Sequence, residues 1–96
     1  MNLRPWWDRA RGLLGRPALL PGQALLLTPC SSIHTIGMTR AIDLAFLDGT
    51  GAIIKLAALR PMGIAWHRQA TQVLEMTSGE IHRLGLQCGQ RLWMRA

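Results

Sequence analysis

The segment Ile42-Asp43-Leu44-Ala45-Phe46-Leu47, followed by Asp48-Gly49-Thr50-Gly51 and the apolar run Ala52 to Leu59, most constrains how this chain can fold. Successive strand residues point to opposite faces, so Ile42, Leu44 and Phe46 share one face and Asp43, Ala45 and Leu47 the other. The Asp-Gly-Thr-Gly run supplies the turn, and the two arms read as a β-hairpin. Asp43 is the anomaly. Its carboxylate falls opposite the main apolar row and must reach solvent, an arginine such as Arg40 or Arg60, or a ligand.

Further strands fall on either side. Gln23 to Thr28 is a compact apolar run bounded by Pro-Gly and Pro-Cys, which suits a buried strand. Thr71 to Met76 and Arg91 to Met94 read as two more. Arg60 to Gln69 has no clear period and carries Pro61 and Gly63, so it reads as a loop whose Trp66 and His67 could fold over a site. Pro5 to Leu14 fits a short helix ended by Gly15. A second is expected from Thr77-Ser78-Gly79-Glu80, which has the form of a capping box, running to Arg83 or Leu84 and stopped by Gly85. The expected class is α+β, mostly β and antiparallel, with about five strands and two short helices in a single domain over residues 1–96.

Composition narrows the function classes. Hydrophobic residues make up 49% and charged residues 17%, which argues for a dense small core and against disorder. Some apolar surface should stay exposed, and a homodimer or a bound partner would cover it. The net charge of +6 raises the question of nucleic acid. Apart from Arg4, Arg9, Arg11 and Arg16, the basic residues are spread singly, which argues against nucleic acid and leaves the basic N-terminal helix as its one candidate. No apolar run reaches the roughly 18 residues a membrane span needs. Leu13 to Thr28 is broken by Pro17, Pro21 and Gly22 and lacks a small-residue cleavage site, so a cytoplasmic protein is expected.

The order of motifs resembles an uncharacterised prokaryotic family, the domain-of-unknown-function family 192. Gly12-Leu13-Leu14-Gly15-Arg16 matches its Gly-Leu-Met/Leu-x-Arg element, and Cys30 to Met38 matches Cys-x-x-Ile-His-Thr-Phe-Gly-Met with Ile36 in place of Phe. Ile42 through Gly51 matches the Pro-Ile/Leu-Asp strand and its turn, with Ala41 replacing Pro. Val73-Leu74-Glu75 and Gly79 match the later Val-Leu-Glu and the glycine opening a helix, while the late Gly-Asp becomes Gly89-Gln90. The resemblance implies a compact, mostly β, barrel-like domain with two short helices and brings no established activity.

Candidate chemistry is sparse. Cys30 and His34 would form a thiol-imidazole pair only if the chain bends, because four residues of straight strand separate them by about 13 Å. The buried-thiol reading of Cys30 competes with that pair, and the two cysteines, Cys30 and Cys88, are expected as independent thiols. Metal binding would draw on Cys30, His34, Asp43, His67, Glu75, His82 and Cys88, yet none form a Cys-x-x-Cys or His-x-x-x-His pair, so no metal is expected. No Gly-rich phosphate loop or serine elbow appears, and no cofactor or catalytic residue is assigned. The leading expectation is a non-enzymatic module binding a small molecule or protein through His34, Thr35, Met38, Asp43 and Trp66. The alternatives are a thiol or hydrolase-like enzyme using Cys30 and His34, and nucleic-acid binding through the N-terminal helix.

Overall fold

A computed structural model describes residues 19–92. The hairpin supplies two long strands, β3 (Ile42–Leu47) and β4 (Ile53–Leu59). Asp48 closes the turn: its Oδ1 accepts from the Thr50 amide, the Thr50 hydroxyl and the Ala52 amide. Ala24–Leu27 forms β1 and Gln72–Thr77 forms β6, close to their expected spans. These four strands make one antiparallel sheet in the order β1-β6-β3-β4. β3 is interior and all six of its residues are buried.

The expected loop contains a strand. Ile64–Trp66 forms β5 and pairs antiparallel with β2 (Ser32–His34), with Ile33 opposite Ala65. This two-stranded ribbon turns Ile33 and Ala65 inward, where they join Leu25, Leu27, Ile42, Leu44, Phe46, Leu59, Ala70 and Val73. The other face of the sheet presents Leu26, Ala45, Leu47, Ile53, Leu74 and Met76, packed against Ile81, Leu86 and Leu92. Ile81 belongs to the helix α1 (Glu80–Leu84), which Gly85 ends in a left-handed conformation.

The mostly β, antiparallel expectation therefore holds, but the sheets do not close into a barrel. The edge strands β1 and β4 do not pair with each other. The physical reason is that the ribbon covers one apolar face and α1 with its following loop covers the other, so burial is completed by layering. Among the described residues there is one helix, and the two-helix expectation is corrected to that extent. The expected helix over Pro5–Leu14 and half of the expected strand over Arg91–Met94 lie outside the described residues, although Arg91 bridges to Ala52.

The capping box is also corrected. Thr77 is the last residue of β6, and Gly79 takes the N-cap position at φ 96°, where an L side chain would be strained. The cap comes from across the sheet, from Asp43.

Candidate functional site: the outer face of the ribbon

Asp43 lies on the α1 side of β3. Its Oδ2 accepts hydrogen bonds from the amides of Gly79 (3.1 Å) and Ile81 (2.9 Å), two of the unpaired donors at the start of α1. This accounts for a buried carboxylate in an apolar strand without Arg40, Arg60 or a ligand. Glu80, freed from any capping role, accepts from the Gly22 amide at 2.6 Å and pairs with Arg83. The Arg83 hydrogen bond, then the Gly22 amide, hold its carboxyl below the ordinary value of 4.5.

His34 sits on the opposite side of the sheet, in β2, so Asp43 and His34 are not brought together. The His34 Nδ1 is buried and has no hydrogen-bond partner among the described residues. Cys30 packs against the core and its Sγ donates to the Ser32 carbonyl. Among the described residues, no hydrogen bond joins this thiol to the His34 imidazole, and no disulfide joins Cys30 to Cys88. No cluster of three His, Cys, Asp or Glu side chains among these residues could hold a metal ion. No helix among them is long and apolar enough to cross a membrane.

Thr35 is fully buried and ties two turns together. Its amide donates to the Gly63 carbonyl, its hydroxyl donates to the Arg60 carbonyl and accepts from the Gly63 amide, and its carbonyl accepts from both Met38 and Met62. Gly63 is required here, because a Cβ would come within 2.7 Å of Leu59 Cδ1 and 2.9 Å of the Arg60 carbonyl. Met38 is half-buried against the core. Met62 has a left-handed backbone, φ 62°. The turns thus hold Ile36 and Met62 outward at one end of the ribbon.

Alternation along the ribbon does the rest. With Ile33 and Ala65 inward, Ile64 and Trp66 point out. Ile36, Met62, Ile64 and Trp66 are 63%, 71%, 69% and 60% exposed, an apolar stripe along β5 and the adjoining turns. Lys55 flanks it, its Nζ donating to the Trp66 carbonyl at 2.9 Å while lying over the Phe46 ring. Of the five residues nominated from sequence, Trp66 lies on this face, His34 is in the strand beside it, Thr35 and Met38 lie beneath it, and Asp43 lies across the sheet. Ile36, Met62 and Ile64 were missed. Their signal was apolar residues beside Gly37, Pro61 and Gly63, where turns ordinarily carry polar ones.

The profile of family DUF192, whose description reads "Uncharacterized ACR", matches residues 4–94. The chain belongs to domain-of-unknown-function family 192. Two solved structures share the fold of this family 192 chain. A protein of unknown function from Novosphingobium aromaticivorans is 20% identical, with a TM-score of 0.74 over 95% of this chain and 72% of that one. A candidate transcription regulator from Sinorhizobium meliloti is 23% identical, with a TM-score of 0.73 over 93% of this chain and 74% of that one. No match to a curated protein was found.

Proposed function

We propose that this protein is a non-enzymatic interaction module that docks a partner on the outer face of the β2–β5 ribbon. One observation carries the reading: four large apolar side chains gather on that face and its turns, each at least 60% exposed. Clusters of this kind mark interaction surfaces, and Trp and Met are favoured at interface centres. The support beneath them fits the role. Thr35 fixes both turns from below, so the stripe is presented by hydrogen-bonded backbone.

Site-directed photo-crosslinking in cells tests this. A photoreactive residue at position 66 should give discrete crosslinked species that disappear in Met62→Ser or Ile64→Ser variants. The control is position 84, where Leu84 is also exposed but lies on α1. A yield at position 66 no greater than at position 84 would contradict the reading.

A further inference from the structure

We infer that the partner is an extended, acidic protein segment that adds to β2 as a third strand of the ribbon; this rests on the docking reading above. The ladder geometry is the first support. The bonds from Thr35 N to Gly63 O and from His67 N to Ser31 O bracket the ribbon. They make Ser32 with Trp66, and His34 with Ile64, the non-hydrogen-bonded pairs, whose N–H and C=O groups point away from the partner strand. On the β5 side, the Trp66 carbonyl already receives Lys55 Nζ. On the β2 side, the Ser32 carbonyl receives the Cys30 thiol. The Ser32 amide and the His34 amide and carbonyl have no partner among the described residues. These are the groups an added strand would pair; it would lie about 10 Å from β5, so its long outward side chains would cross Ser32 and His34 to reach the apolar stripe.

Charge selects the occupant. Arg40, Arg60 and Arg68 are exposed around the ribbon, with Lys55 beside Trp66. Residues 29–41 and 60–70 contain no Asp or Glu. The described carboxylates are engaged or buried elsewhere: Asp43 at α1, Asp48 in its turn, Glu75 inside β6 and Glu80 with Arg83. A second copy would bring the same cationic rim against itself, on a chain of net charge +6. A lipid surface would accept the apolar stripe but leave the β2 amides unpaired. An acidic segment with apolar residues at alternate positions satisfies the backbone, the stripe and the rim together.

The test is selection of displayed random octapeptides on the intact protein, with counter-selection on the Trp66→Ser variant. Enriched peptides should alternate acidic and apolar residues and slow hydrogen exchange at the Ser32 and His34 amides about tenfold or more. Neutralising the rim with Lys55→Gln and Arg60→Gln should weaken binding about tenfold and flatten its salt dependence. Trp66-dependent peptides that lack acids, or leave those two amides unprotected, would overturn strand addition and leave the docking surface standing. No Trp66-dependent enrichment would overturn both. Sedimentation with phosphatidylglycerol vesicles, or a dimer that protects the same amides, would assign the face to lipid or to a second copy and overturn this inference.

Discussion

Asp43 places a carboxylate in an otherwise apolar strand, and the amides of Gly79 and Ile81 account for it. Asp43→Ala should leave the Gly79 and Ile81 amides without their part-buried acceptor and destabilise the protein by about 1–3 kcal/mol. Asp43→Asn keeps an acceptor and should lose less; chemical denaturation of the two variants checks the order. Thr35 acts similarly at the ribbon. Thr35→Val removes the acceptor for the Gly63 amide and should cost about 1–3 kcal/mol, with faster hydrogen exchange at Gly63. These roles were only partly legible. The anomaly of Asp43 could be read from its neighbours in β3, but its partners lie 36 and 38 residues away, beyond any local pattern. Thr35 is among the residues expected on a ligand or partner surface, and the structure buries it instead. Nothing local shows that its oxygen meets the Arg60 turn.

At the scale of elements, strands with strong alternation were readable and the ribbon was not. β3 falls on its expected residues and β1, β4 and β6 within about one residue of theirs, because their apolar periods are local. β5 has three residues between Gly63 and His67, too few for a period, and exists through pairing with β2 some thirty residues earlier. The barrel expectation came with the family resemblance, and the ribbon on one face and α1 on the other cover the sheet without closure. The helix carries a pH prediction. The Glu80 carboxyl is held below its ordinary value of 4.5, chiefly by Arg83, so its contribution to stability is present above that value and is lost as the pH falls through the lowered folded-state value. Asp48 behaves alike below 3.8, held down first by the Thr50 hydroxyl. Thermal melts from about pH 7 to about pH 3 should show Glu80→Gln less stable than the parent near neutrality, with the gap closing in acid.

The whole molecule separates its tasks by layer. The four-stranded sheet is the scaffold, α1 seals one face under the Asp43 cap, and the ribbon seals the other while turning an apolar stripe to solvent. Because Ile64 and Trp66 are exposed, Ile64→Ser with Trp66→Ser should change stability by no more than about 1 kcal/mol while removing partner binding. A stability loss as large as that of Asp43→Ala would mean that the stripe serves folding instead. Docking by the ribbon is the central claim, and the most direct measurement is the hydrogen-exchange footprint of the protein with and without the partner captured through position 66. Protection confined to residues 32–36 and 62–66, with residues 80–86 unchanged, is the predicted result. Protection centred on α1, or none along the ribbon, would contradict it.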